Sequence, residues 1–333
     1  MIIVTGGTGF IGSNIVAELE ARGYKDITIC DTMGMEDKWR NISKREIRDI
    51  VAPENLLEYM KKRADEIEVI FHMGAISATT EKDVDLIVDS NYRLSRILWK
   101  FCANYDVRLI YASSAATYGD GTAGFDDDES INELSKLHPL NAYGWSKHAF
   151  DRRIARLVQD PEMQTIERRP KQWVGMKFFN VYGPNEYHKG GQMSVVSQLY
   201  PKIKKGEIAK LFKSHNPNYE DGGQLRDFVY VKDCVDVMLW FMENPQVSGL
   251  FNCGTGQARS FKDLALATFS AAGIEPKIEF TPMPEQLQGK YQYYTQANMS
   301  KLRSAGYKKP FASLEEGIKD HIQTYMSKED PYR

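Results

Sequence analysis

Tyr143 and Lys147 lie four residues apart in the stretch 141–147, so on a helix their side chains share one face. An ammonium beside a phenol favours the phenolate, which brings a tyrosine from its ordinary pKa of roughly 10 toward the working range of an acid or base. Ser114 falls in the small-residue stretch 112–119 behind the apolar run 107–111, which sets its hydroxyl at the carboxyl end of an expected strand. Together the three side chains are suited to passing a proton to and from a substrate oxygen, provided a fold assembles them. Tyr143 and Lys147 alone also fit an accidental pairing on a helix face. The element that opens the chain argues against accident.

That element is Thr5-Gly6-Gly7-Thr8-Gly9-Phe10-Ile11-Gly12, behind the apolar run 2–4 and ahead of the helix-like stretch 14–22. Glycine at these spacings answers three demands: Gly6 a tight turn off a strand, Gly9 close approach of backbone to a pyrophosphate, Gly12 close packing of helix on sheet. The helix that follows, with Phe10 and Ile11 at its start, offers free N–H groups and a positive dipole end to phosphates. A glycine-rich turn needs no ligand, but this one has a strand before it, Gly23 placed to end the helix, and a second strand, 27–30, ending in Asp31. A dinucleotide site is expected here. Asp31 is placed for the adenosine ribose, which favours NAD; Lys38 is placed for a ribose 2′-phosphate, which favours NADP, and is equally well read as a solvated surface charge. The residues leave the cofactor's phosphate open.

Further elements must hold these groups in place. A helix is expected at 54–63, then a strand at 69–72 running into Met73-Gly74-Ala75-Ile76-Ser77, a loop small enough for a cofactor to lie across strand ends. Thr79, Thr80 and Glu81 follow, and either face a ligand or cap a helix. A helix at 90–103 and the strand at 107–111 continue the alternation, which predicts a doubly wound parallel (Rossmann) α/β sheet with ligands at the carboxyl ends of its strands. At 333 residues the chain exceeds one ordinary domain. Residues 1–172, with contributions from about 173–182 and 226–255, are expected to form the dinucleotide-binding domain; 183–225 and 256–333 are expected to form a smaller substrate-binding lobe.

Composition narrows the class. With 42% hydrophobic residues a core is well supplied, and a net charge of −2 gives no electrostatic reason to expect nucleic acid or an anionic membrane as partner. The four cysteines, Cys30, Cys102, Cys234 and Cys253, form no C-x-x-C pair, so neither a zinc site nor a disulfide framework is expected, and no metal is. No basic segment leads into an apolar one at the start, and no stretch approaches the ~18 apolar residues of a membrane span. A cytoplasmic enzyme is the expectation.

Through the loop 5–12, Ser114 and Tyr143-x-x-x-Lys147, the chain resembles the extended short-chain dehydrogenase/reductase superfamily, whose members carry out redox chemistry, often on a nucleotide-linked sugar. Adding 77–81, 111–119, 175–184, Glu186-Tyr187-His188-Lys189-Gly190, 225–231, 251–256 and 289–297, it is similar nearly end to end to the epimerases of that superfamily that act at C6″ of an ADP-linked heptose for lipopolysaccharide. That resemblance implies tightly held NADP, oxidation at C6″ with re-reduction on the other face, and a homo-oligomer, pentameric in the family. It makes Tyr143 and Lys189 the two acid/base groups, with Ser114 hydrogen-bonding the oxygen between them. Two groups are needed because the two half-reactions present the oxygen in different places. Cofactor contacts are implied at Thr32, Ser90, Val181, Lys147 and Lys189 besides the loops named above, and substrate contacts at Ser114, Thr79, Asn180, Gln198, Phe212, Arg226 and Tyr291. Plainer accounts are a phosphate-steering or surface lysine for Lys189, an ion pair for Arg226, a turn hydrogen bond for Asn180 and a packed ring for Tyr291.

The sequence also departs from that pattern. Thr32 and Ser90 replace asparagines, Pro53 stands where some members carry a lysine, and polar insertions at 128–136, 160–172 and 215–224 exceed the family minimum, the last beside Arg226. A UDP-hexose 4-epimerase would share the fold and the Ser/Tyr/Lys set; His188-Lys189-Gly190 speaks against it. Ala115 and Ala116 stand where a 4,6-dehydratase carries acids. A non-catalytic NAD(P)-sensing protein would have no use for Ser114, Tyr143 and Lys147 together.

Overall fold

The computed structural model describes residues 1–284 and 292–333. Its strands are β1 (Ile2–Thr5), β2 (Ile27–Cys30), β3 (Asp49–Val51), β4 (Val69–His72), β5 (Arg108–Ser114), β6 (Trp173–Phe178), β7 (Asn180–Tyr182), β8 (Ala209–Phe212), β9 (Leu225–Tyr230), β10 (Gly249–Cys253), β11 (Ala258–Ser260) and β12 (Ile278–Thr281). Seven of them form one parallel sheet in the order β10-β6-β5-β4-β1-β2-β3. Every residue of β1, β2 and β4 is buried, as in a sheet covered on both faces, which is why these strands read as unbroken apolar runs. From β1 the chain winds outward to β2 and β3, then returns to β4 and winds the other way. The crevice at the carboxyl ends of β1 and β4 is therefore the switch point of a doubly wound fold.

β3 is a strand that the sequence pattern does not announce. Asp49 and Ile50 are exposed and only Val51 is buried, so no alternation or apolar run marks it; pairing with β2 alone makes it a strand. Helices Phe10–Ala21 and Val231–Glu243 pack together, as do the segment ending in Leu94–Asn104 and the helix Ala142–Gln159. Trp99 sits edge-on to both Phe150 and Trp173, locking the second pair onto β6.

A smaller layer follows. β9 pairs parallel with β7 and antiparallel with β11, and β8 pairs parallel with β12. Of the segment 226–255, β9 thus joins this smaller group while Val231–Glu243 and β10 belong with the large sheet. Helices Val195–Lys204, Phe261–Ala272 and Leu314–Asp320 complete it over two apolar clusters of their own, one around Tyr182, Val196 and Ile318, the other around Leu199, Leu211 and Phe269. Both Phe261–Ala272 and Leu314–Asp320 start with reciprocal capping boxes, Ser260 with Asp263 and Ser313 with Glu316. The insertions at 128–136 and 160–172 fold into short helices, Ile131–Ser135 and Pro161–Ile166, packed on Ala142–Gln159; 215–224 remains a loop between β8 and β9. All four cysteines are buried and unbridged. Among the described residues no helix is long and apolar enough to cross a membrane.

Beneath the carboxyl end of β5 lies a charged pair with no solvent exposure. Lys177 Nζ on β6 is 3.2 Å from Asp151 Oδ2 on the long helix, and it donates to Thr117 Oγ1 at 2.7 Å. Asp151 also accepts from Ser113 Oγ at 2.6 Å and Tyr111 OH at 3.1 Å. The pair pins the helix that carries Tyr143 and Lys147 to β5 and β6. Removing one partner strands a buried charge, so Asp151→Leu is expected to cost about 3–5 kcal/mol in urea unfolding. Adding Lys177→Met to that variant should recover most of the loss; a double variant as unstable as the single one would refute the pairing.

Candidate active site

At the switch point a directional chain of hydrogen bonds ties strand to strand and strand to helix. Gly74 N–H donates to Thr5 Oγ1 at 3.1 Å, Thr5 Oγ1 lies 2.7 Å from His72 Nδ1, and His72 Nε2 lies 2.9 Å from Ser95 Oγ, which donates to the Asn91 carbonyl at 2.5 Å. This order makes His72 the neutral Nε2–H tautomer, in keeping with burial, which drives its pKa down to about 3. The Asn91 side chain continues the chain: it accepts from Ile76 N–H at 2.8 Å, donates to the Ile76 carbonyl at 2.9 Å and donates to Ser146 Oγ at 3.0 Å. The loop 73–77 is thereby fixed to the helix Ala142–Gln159. Asn91 carries no signal in the sequence, since a buried asparagine and an exposed one look alike there.

The glycine loop is as tight as its spacing requires. Gly6 has φ +65°, and a Cβ there would stand 2.6 Å from Gly74 N; a Cβ on Gly12 would stand 2.0 Å from Gly6 O. Only glycine allows β1, the loop after β4 and the helix Phe10–Ala21 to approach so closely. That cradle fits the pyrophosphate of a dinucleotide laid on the helix N-terminus. Farther along the rim, Asp31 Oδ2 accepts from Thr8 N–H at 2.9 Å and Thr8 Oγ1 at 2.5 Å, while Oδ1 accepts from Thr32 N–H at 2.8 Å and Lys38 Nζ at 2.6 Å. The two residues that argue for different cofactors are an ion pair.

One cavity of about 610 Å³ runs from this loop to the smaller layer. Gly6, Gly9, Phe10, Ile11, Gly12, Asp31, Lys38, Met73, Gly74, Ala75, Ser77, Ser114, Tyr143, Lys147, Asn180, Val181 and Lys189 all line it. Asn141 caps the helix by accepting from Gly144 N–H at 2.8 Å, which starts the turn that presents Tyr143 and Lys147 on one face. Burial raises the Tyr143 phenol above its ordinary pKa, and the Ser114 hydroxyl, its hydrogen-bonding neighbour, draws it back. Burial also lowers Lys147, to about 8, against the opposing pull of Asp151 one turn along the helix. Lys189 enters from the segment Tyr187–Gln192, its Nζ 5.3 Å from the Phe10 ring centre. Burial lowers its pKa and Glu186 raises it.

Other expected residues stand elsewhere. Thr32, Thr79, Gln198, Phe212, Arg226, Ile76 and Ser90 do not line the cavity. Thr32 and Thr79 are exposed on loops, and the cap of the helix Val84–Ile87 is Asp83 rather than a threonine. The Gln198 amide donates to the Gly191 and Met193 carbonyls at 3.2 and 2.7 Å, and Ile76 presents its backbone to Asn91. Phe212 ends β8, and Arg226 donates to the Leu225 carbonyl at 2.8 Å beside the Phe261 ring. Tyr291 lies outside the described residues. Unanticipated on the wall are His188, Gln192 and Ser194, with Phe228, Phe261 and Leu264 from the smaller layer. His188 is 3.1 Å from Asn41, whose amide also donates to the Thr8 carbonyl at 2.8 Å, so the lysine-bearing segment is stitched to the glycine loop. Burial, helped by the nearby ammonium groups of Lys38 and Lys189, holds His188 down to about 4.

A parallel doubly wound sheet, a glycine cradle and a Ser/Tyr/Lys group at its carboxyl edge define a nicotinamide-dependent enzyme of the epimerase and dehydratase type, and the chain belongs to the NAD dependent epimerase/dehydratase family, whose model matches residues 2–254. Its full-length relatives place it within that family among those named ADP-L-glycero-D-manno-heptose-6-epimerase. The relative from Fusobacterium nucleatum is 51% identical, and that from Nitratidesulfovibrio vulgaris is 46% identical, each match covering 100% of both chains. The crystal structure of the Helicobacter pylori ADP-L-glycero-D-manno-heptose-6-epimerase is 28% identical with a TM-score of 0.78, covering 97% of this chain and 95% of that one. A Thermus thermophilus UDP-glucose 4-epimerase, 24% identical with a TM-score of 0.71 over 96% of this chain and 97% of its own, shares the fold.

Burial of Lys147 links protons to folding. Its pKa is about 8 in the fold against 10.5 for an ordinary lysine, so between those values the unfolded chain binds a proton that the folded chain has released, and stability rises with pH. Lys147→Met removes that linkage. The variant's advantage in urea midpoint over the wild type should therefore shrink as pH climbs from about 8 to about 9.5, and an advantage constant across that window would refute the assignment.

Proposed function

We propose that this protein converts ADP-D-glycero-β-D-manno-heptose to ADP-L-glycero-β-D-manno-heptose, inverting C6″, with NADP as its resident cofactor. The observation that carries the reading is the convergence of two separate proton-transfer groups, Tyr143 and Lys189, on one cavity beside the glycine cradle. A nicotinamide dinucleotide held by Gly6, Gly9, Gly12, Lys38 and the loop 73–77 supplies the reversible hydride acceptor. The chain's own residues do the rest. Tyr143, hydrogen-bonded to Ser114, serves the substrate oxygen on one side; Lys189, arriving from a different segment, serves it after the sugar's end group has turned over. Ser114 holds the oxygen in between, and Lys147 places its charge on the same helix face as the phenol. Asn180 at the start of β7, on the cavity wall, is the substrate contact we assign with most support from position.

The NADP reading rests on the rim. Asp31 already accepts from Thr8, Thr32 and Lys38, which leaves little room for a ribose diol, while Lys38 puts a cation at the same edge. Supply of heptose for lipopolysaccharide, action in the cytoplasm and assembly with further copies of the chain complete the proposal.

The direct test is incubation of the purified protein with the D,D-nucleotide sugar, the C6″ epimers being resolved by chromatography. Conversion of UDP-glucose to UDP-galactose in place of that reaction would move the protein to the 4-epimerases. Tyr143→Phe should keep fold and nucleotide but lose roughly 10²-fold or more in turnover; near-normal turnover would end the tyrosine's role. Lys38→Glu should shift the nucleotide released on denaturation from NADP toward NAD, read by mass, since a carboxylate repels the 2′-phosphate. Release of NAD alone from the unaltered protein would contradict the NADP reading.

A further inference from the structure

Glu186 precedes Lys189 by three residues and is fully buried. Its carboxylate is held by donors on the next helix: Oε1 accepts from Ser194 Oγ at 2.5 Å and Ser197 Oγ at 2.6 Å, and Oε2 accepts from Ser194 N–H at 2.6 Å. The Gly183 N–H, at 3.5 Å, is a long fourth contact. Ser197 Oγ in turn lies 2.9 Å from His321 Nε2, in the segment His321–Met326. Since the serine gives its proton to Glu186, it accepts one from His321, which burial keeps neutral with a pKa down to about 3. His321 Nε2 also stands 3.9 Å from Oε1 and, being neutral, does not cancel the carboxylate's charge. A buried anion held by hydroxyl and amide dipoles, with its charge intact, has a field that reaches its neighbours with little screening.

The neighbour in question is the lysine. Lys189 N–H donates to the Glu186 carbonyl at 3.0 Å, so the turn that carries the lysine is built on the residue whose side chain is gripped. Lys189 shares its cavity with His188 of its own segment, Lys38 and Asp31 from beyond β2, and Tyr143 and Lys147 of the long helix, while Glu186 lies three residues before it. Of these Glu186 is the one whose charge opposes the effect of burial on Lys189. We propose that Glu186 is the positioning residue for Lys189: clamped by Ser194 and Ser197, it fixes the turn that aims the lysine and sets a buried carboxylate at the start of that turn. This inference rests on the reading of Lys189 as the second proton-transfer group.

Glu186→Gln keeps the shape, because an amide nitrogen can face the two serine hydroxyls while the amide oxygen keeps the Ser194 N–H. Two readouts are needed: the pH profile of epimerisation, and the pH dependence of acylation at Lys189 resolved by peptide mass, which needs no turnover. Loss of the carboxylate should move both the Lys189 limb of the profile and the acylation midpoint to lower pH. Glu186→Asp, which keeps the charge but withdraws from the serines, should leave the acylation midpoint in place and lower kcat. An unmoved midpoint in Glu186→Gln, with activity falling only as the folded fraction falls, would overturn the proposal. Should Glu186→Gln fail to fold, wild-type kcat in Glu186→Asp would overturn it as well. Lys189→Met separates this from the reading beneath it: full kcat at saturating substrate in that variant defeats the two-base mechanism itself, whatever the Glu186 variants do.

Discussion

The structure depends first on how closely the carboxyl ends of β1 and β4 approach. With Gly6 and Gly74 so near that a Cβ would not fit, the two strand ends open a crevice whose floor is backbone alone. The Thr5–His72–Ser95–Asn91 chain holds that gap at one width and passes the constraint to the loop 73–77 and to the helix bearing Tyr143. His72 suits this position because it is neutral: a charged imidazole would donate from both nitrogens and break the direction of the chain. The glycine cradle and the helix bearing Tyr143 are thus registered against each other by hydrogen bonds.

Buried cations in this protein divide by the company they keep. Lys177 faces Asp151, Thr117 and the Tyr118 ring, all inside the core, and serves to bind helix to sheet. Lys147 and Lys189 line the cavity, and for each a carboxylate within the protein works against the burial that favours the neutral form. Lys147, brought to about 8, is a lysine that can exchange a proton near neutral pH. Asp151 participates in both arrangements, since it pairs with Lys177 and its field reaches Lys147, so the core lock and the site share a charge.

The lysine-bearing segment is equally over-determined. Asn185, held at φ +72°, donates to Ser13 Oγ at 3.0 Å; Asn14 donates to the Pro184 carbonyl at 2.9 Å; His188 meets Asn41. These contacts anchor the segment to the helix of the glycine loop, while Glu186 anchors it to Val195–Lys204 in the smaller layer. Lys189 therefore sits on a bridge between the glycine-loop helix and the smaller layer. Motion of one layer against the other would move Lys189 relative to Tyr143.

What the sequence determined by itself is local and periodic. Glycine at 6, 9 and 12, apolar tetrads buried on both faces, Tyr143 four residues from Lys147, and Ser114 at a strand end each follow from spacing, because turns, sheets and helices impose fixed repeats on neighbouring residues. The resemblance added Lys189, which no spacing rule reaches. Only the tertiary structure decided the rest, since it turns on distances between residues far apart in the chain. It brought Lys38 onto Asp31, made β3 a strand through its pairing with β2, gave Asn91 and His188 their partners, and set Thr79, Phe212 and Arg226 away from the cavity. Spacing along a helix tells which side chains are neighbours, but it does not display burial, which in the fold raises the Tyr143 phenol above its ordinary range because ionising it away from water is costly.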